Sequence, residues 1–76
     1  MRNLVEFVAR SLVEDPRAVQ VHEVRAAPAI VYQLRVAPGD VGRIIGKHGR
    51  TAQALRILLA ASAARSGQRA ALEIQE

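Results

Sequence analysis

The chain has 76 residues, a formal net charge of +4, no cysteine and half its residues hydrophobic. That is one small domain, residues 1–76, with disulfides and thiolate metal sites excluded. A domain this short takes only about 60% of its unfolded surface out of water, so apolar packing, helped by a partner, has to hold it.

The first ten residues contain Glu6 and no continuous apolar core, unlike a signal peptide. No apolar run reaches the roughly 20 residues of a membrane span. The expectation is a cytoplasmic protein without membrane association. Leu4, Val8 and Leu12 recur every four residues, with Val5 and Phe7 beside them, and predict an amphipathic helix over residues 2–13 with Phe7 in the core. Asp15-Pro16 ends it, because proline disfavours the helical region at the residue before it. Residues 18–26 carry Val19, Val21 and Val24 and read as a strand. Its alternation slips after Val21, which fits a bulge or a mostly buried strand. Ala26-Ala27-Pro28-Ala29 is the turn into residues 30–36. There Ile30, Tyr32, Leu34 and Val36 share one face and Val31, Gln33 and Arg35 the other, the cleanest strand pattern in the chain. The two strands form a hairpin, and Tyr32 lies inward.

Pro38-Gly39-Asp40 breaks the second strand, and Asp40 is a candidate N-cap for a short helix over 41–45. Gly46 to Gly49 is a loop. A longer helix follows over about 50–65 and stops at Ser66-Gly67, where Gly67 suits the position just past a helix end. Residues 69–75 alternate once more, with Ala70, Leu72 and Ile74 inward. The order α-β-β-α-α-β, with a helix pair between the second and third strands, favours a right-handed crossover and places those strands in one sheet. The fold class is α+β, a two-layer sandwich.

The charge is unevenly distributed. Up to residue 40, Arg2, Arg10, Arg17, Arg25 and Arg35 balance Glu6, Glu14, Asp15, Glu23 and Asp40. Beyond it, Arg43, Lys47, Arg50, Arg56, Arg65 and Arg69 face only Glu73 and Glu76, and residues 41–72 contain no acid. The whole excess lies in the second half, as suits an anionic partner or simple solubility. Glu14-Asp15 reads as a solvated helix end. His22 and His48 are too few and too far apart for a metal cage. No Ser/His/Asp set or metal-activated water site is visible, so neither catalysis nor a cofactor is expected.

The acid-free stretch opens on Gly42-Arg43-Ile44-Ile45-Gly46-Lys47-His48-Gly49-Arg50-Thr51. Gly46 and Gly49 can take positive φ and admit a ligand to close range. The helix that follows directs free N–H groups and the positive end of its dipole at that space, and Lys47 and Arg50 add full charges. A nucleotide P-loop needs four residues between its glycines, then Lys and Ser/Thr. Here only three residues lie between Gly42 and Gly46, Lys47 is followed by His48, and the loop joins two helices. A helix–turn–helix corner with no ligand fits the glycines equally well when they are taken alone.

Residues Val41 to Arg50 resemble the KH signature, an apolar residue and glycine followed by x-x-Gly between two short helices. With the element order, the length and the stretch Ile44–Leu59, the chain is similar to the KhpA family of small bacterial single-KH proteins. The resemblance covers nearly the whole chain and implies a type II KH domain with a three-stranded sheet packed on helices. KH loops clamp the backbone of about four nucleotides beside a groove for the bases. The resemblance therefore implies RNA binding at Gly46, Lys47, His48, Gly49 and Arg50, with Gly42, Arg43 and Ile45 along one side of the groove. The position three past Gly49, usually a larger aliphatic residue, is Ala52 here, which suits a shallower groove. With no ring expected at the surface, binding is expected to rest on phosphate contacts and to be salt-sensitive.

The long helix carries more apolar residues than one core face uses. Leu55, Leu58, Leu59 and Ser62 share one side, and Ala54, Ile57, Ala61 and Ala64 lie roughly opposite, where a surface helix is normally polar. They read as an interface. The resemblance implies a homodimer, pairing with a larger KhpB-like protein, RNA chaperoning, and in some bacteria control of cell elongation and division. A protein-interaction module with secondary RNA binding is the alternative.

Overall fold

The computed structural model describes residues 1–75. Its elements are α1 (Arg2–Leu12), β1 (Gln20–Ala26), β2 (Ala29–Arg35), α2 (Val41–Ile45), α3 (Arg50–Ala64) and β3 (Arg69–Gln75), with short 3-10 turns at Pro16–Ala18, Pro38–Asp40 and Lys47–Gly49. The sheet order is β1-β2-β3. β1 and β2 are antiparallel in register from Gln20↔Arg35 to Ala26↔Ala29. β2 and β3 run parallel, as expected of two strands joined by a helix pair.

The helices cover one face of the sheet. Ile30, Tyr32, Leu34 and Val36 of the β2 segment, Leu72 of β3, Ile44 of α2, Leu55 and Leu59 of α3 and Val5 of α1 form one buried cluster. α3 ends as its sequence suggests. Gly67 takes φ 68°, its N–H donates to Ala64 O at 3.0 Å, and Gln68 N–H donates to Ala63 O at 2.9 Å. Those two bonds satisfy carbonyls that the helix end would otherwise leave unpaired. Ser62 Oγ donates to Met1 Sδ at 3.1 Å, tying the start of α1 to the far end of α3.

Several expectations need correction. α1 buries Val5 and Ala9, while Leu4 and Val8 are only partly covered and Leu12 is exposed. Phe7, expected in the core, is 71% exposed. β1 starts at Gln20 because Pro16–Ala18 is still a helical turn. Its pairing is one-to-one with no bulge, and Val24 lies exposed on this edge strand. Leu58, placed with the core residues of α3, is 54% exposed. Ala52 is buried on the inner side of α3.

The largest correction concerns Asp40. Its side chain makes no capping bond to α2. It is 4% exposed, and its two carboxylate oxygens accept the main-chain N–H groups of Glu14 and Asp15 at 3.1 Å each. Asp40 therefore ties the segment after α1 to the start of α2, and Glu14-Asp15 is anchored through its backbone.

Candidate nucleic-acid interface

α2 ends where Gly46 N–H donates to Gly42 O at 2.9 Å, after which the chain leaves the helix at Gly46 with φ 77° and ψ 171°. That combination belongs almost solely to glycine. His48 follows at φ 59°, ψ 23°, and Gly49 at φ 73°, ψ 12°. Gly49 N–H closes the turn on Gly46 O at 3.0 Å. Histidine is among the few non-glycine residues that enter this left-handed region with any frequency. The turn thus projects Lys47 and His48 outward, both exposed.

α3 starts immediately after this turn, and no side chain caps it. Its first-turn N–H groups and the positive end of its dipole face the space beside the loop. Lys47 and Arg50 are exposed and form no ion pair among the described residues. Ile45 exposes its side chain at the end of α2. The fold therefore gathers Gly42, Ile45, Gly46, Lys47, His48, Gly49 and Arg50 into one continuous α2–turn–α3 segment. Arg43 lies on the same helix but is engaged, with Nε 3.3 Å from Asp40 Oδ1 and Nη2 donating to Glu14 Oε1.

Three contributors escaped the sequence reading. Thr51 packs directly over Gly46. Glu14 pairs with Arg43, 29 positions further along the chain. Arg56 lines a cleft between α3 and β3 with Gln53, Ile57, Ala60, Ala70, Ala71 and Leu72, and its Nη2 donates to Leu72 O at 3.3 Å. The acid-free run pointed to Arg56 as a cation. That it lies against a strand carbonyl follows only from the fold.

Ala54, Ile57, Ala61 and Ala64 all lie exposed along the outer stripe of α3, with Ile57 60% exposed. Leu58 extends the stripe toward α1, in a shallow depression lined by Val8, Arg50, Thr51, Ala54 and Leu55. Among the described residues no group of His, Cys, Asp and Glu could hold a metal ion, and no helix is long and apolar enough to cross a membrane. Tyr32, buried on the inner face of the sheet, has its hydroxyl pKa raised by burial and further by Glu23, with Arg25 opposing. It has no surface on which to stack a base.

A two-layer α+β domain whose helix pair brackets a Gly-x-x-Gly turn is a type II KH domain. Residues 2–74 match the protein family described as KhpA/KhpB, KH domain. A protein named RNA-binding protein KhpA from Caldanaerobacter subterraneus subsp. tengcongensis is 45% identical over 74 residues, covering 97% of this chain and 99% of its own. The protein of the same name from Chlamydia trachomatis serovar D is 42% identical over 76 residues, covering 100% and 97%. That from Treponema pallidum is 52% identical over 71 residues, covering 93% and 89%. No solved structure matches the chain. The chain belongs to the KhpA/KhpB family of KH domains, and these relatives are named RNA-binding proteins.

Proposed function

We propose that residues 1–76 act as a single KH domain that holds single-stranded RNA by its backbone at Gly46-Lys47-His48-Gly49. The supporting observation is the turn itself. Positive φ at Gly46, His48 and Gly49 brings the chain round so that Lys47 and Arg50, both exposed and without an ion pair among the described residues, flank the uncapped start of α3. Phosphate oxygens are the natural occupants of such a place. Bases lie in the groove beside it, against Gly42, Arg43 and Ile45. The names of the relatives favour RNA as the ligand. On this reading the protein is a cytoplasmic RNA chaperone or post-transcriptional regulator. It works as a homodimer or with a larger KhpB-like partner and contributes to cell elongation and division.

Replacing Lys47 and His48 together by Asp tests the clamp. Binding of single-stranded RNA in a low-salt shift assay is expected to be lost, and unchanged binding rules the loop out as the site.

A second reading makes protein association the main role, and the apolar outer stripe of α3 favours it: Ile57 and Leu58 are both more than half exposed on a charged-protein surface. Light scattering on wild type and Ile57→Asp separates the two readings. A wild type that is monomeric at micromolar concentration and recruits no partner excludes the association reading.

A further inference from the structure

Among the described residues, Arg43 is the one cation of the proposed RNA surface whose charge is already taken in the free protein. Two acids hold it, and they differ in kind. Asp40 is buried and bound to two main-chain N–H groups, so it stays in place whatever happens at the surface. Its Oδ1 lies 3.3 Å from Arg43 Nε and fixes the direction of the guanidinium. The Glu14 side chain is 75% exposed, and its carboxylate has no partner but Arg43 among the described residues. An exposed pair of this kind is held by little net free energy, so Glu14 can leave readily.

The guanidinium is a planar fork of five N–H donors. With Nε turned to Asp40, its Nη2 is the donor that Glu14 occupies. A carboxylate oxygen and a phosphate oxygen are equivalent acceptors for that group, and phosphate is a favoured partner of arginine. We propose that Glu14 is a built-in competitor for RNA phosphate at Arg43. It fills the Nη2 position in the free protein and must be displaced before Arg43 can engage the nucleic acid, while Asp40 keeps the side chain aimed. The inference rests on the RNA-clamp reading above. It makes Glu14 the residue at this surface whose neutralisation improves binding. Its effect on the ligand runs wholly through Arg43.

The test is fluorescence anisotropy of a labelled single-stranded oligoribonucleotide of mixed sequence, titrated with the full chain at low salt. The variants are Glu14→Gln, Arg43→Gln, the double variant, Lys47→Asp/His48→Asp, and Glu23→Gln as an equal change in net charge on β1. Glu14→Gln is expected to tighten binding about threefold, the scale of an exposed ion pair. Glu23→Gln is expected to change it by less than about twofold, since Glu23 lies on β1, outside the α2–turn–α3 segment, and already pairs with Arg25. In the Arg43→Gln background the Glu14 effect is expected to vanish. The proposal is overturned if wild type binds and the Lys47/His48 variant does not, yet Glu14→Gln binds no better. It is overturned equally if the tightening persists without Arg43, which would make it a general charge effect. If wild type itself does not bind, the clamp reading fails and takes this inference with it. Urea midpoints of the variants separate affinity changes from unfolding.

Discussion

Thr51 closes over Gly46: a β-carbon built on the glycine would lie 2.3 Å from the threonine Oγ1 and 2.7 Å from its Cβ. The same construction on Gly49 meets nothing within 4 Å. The two glycines of the turn are therefore required for different reasons. Gly46 combines a glycine-only backbone conformation with a filled space, whereas Gly49 needs only its left-handed φ. Gly46→Ala is expected to cost about 3 kcal/mol or more, from backbone strain and overpacking together. Gly49→Ala is expected to cost about 1–2 kcal/mol, from φ alone. In a chain whose whole stability is on the order of 4–11 kcal/mol, urea unfolding resolves that difference. Equal losses at the two positions would contradict the packing of Thr51.

Asp40 carries a second prediction. A buried carboxylate that accepts two backbone N–H bonds and faces a guanidinium cannot be matched by an amide, because the amide nitrogen would point a donor at a donor. Asp40→Asn is expected to lower stability by about 2 kcal/mol, the scale of a charge-assisted bond lost and a buried N–H left unpaired. The loss should appear in the urea midpoint. Amide exchange should quicken at Glu14 and Asp15, the two N–H groups the carboxylate holds. A variant with unchanged exchange there would show that Asp40 does not anchor this segment.

How far each of these features was readable depends on the range of the interaction behind it. The inward row Ile30, Tyr32, Leu34, Val36 was legible because a strand's two faces alternate residue by residue and one face is buried. The end of α3 was legible because Gly67 and its hydrogen bonds are local. α1 was misread because its apolar residues cover a wide arc. Its contact with the sheet, absent from its own sequence, selects Val5 and Ala9 and leaves Phe7 outside. Asp40 carried the local signal of an N-cap, yet its partners lie 25 and 26 positions earlier. The loop's glycine spacing announced its place between helices. That Arg43 is partly neutralised, and Lys47 and Arg50 are not among the described residues, required the three-dimensional arrangement.

Tyr32 gives a pH prediction. Burial favours its neutral hydroxyl, so its folded pKa lies above the ordinary value of 10.0. Below 10.0 both folded and unfolded chains keep the proton and the stabilising effect is fully present. Above it the unfolded chain loses the proton first, the folded chain binds more protons, and stability falls as pH rises. Tyr32→Phe removes this dependence. Urea midpoints for wild type are expected to drop more steeply than those for the variant once pH exceeds 10.0. Parallel curves would mean that the tyrosine ionises as easily folded as unfolded.

Gly42 is the glycine of this segment that the fold does not need. It lies inside α2, has no positive φ, and a β-carbon there would meet nothing within 4 Å. On conformational grounds alanine is the better residue at such a position, and Gly42→Ala is expected to stabilise the domain by about 0.5–1 kcal/mol. If Gly42 lines the groove as proposed, the added methyl group stands where the ligand approaches, and the same variant is expected to bind single-stranded RNA several-fold more weakly. A gain in urea midpoint with a loss in affinity assigns the glycine to the ligand. A gain in both removes Gly42 from the binding surface and confines the clamp to the turn from Gly46 to Gly49 and the start of α3.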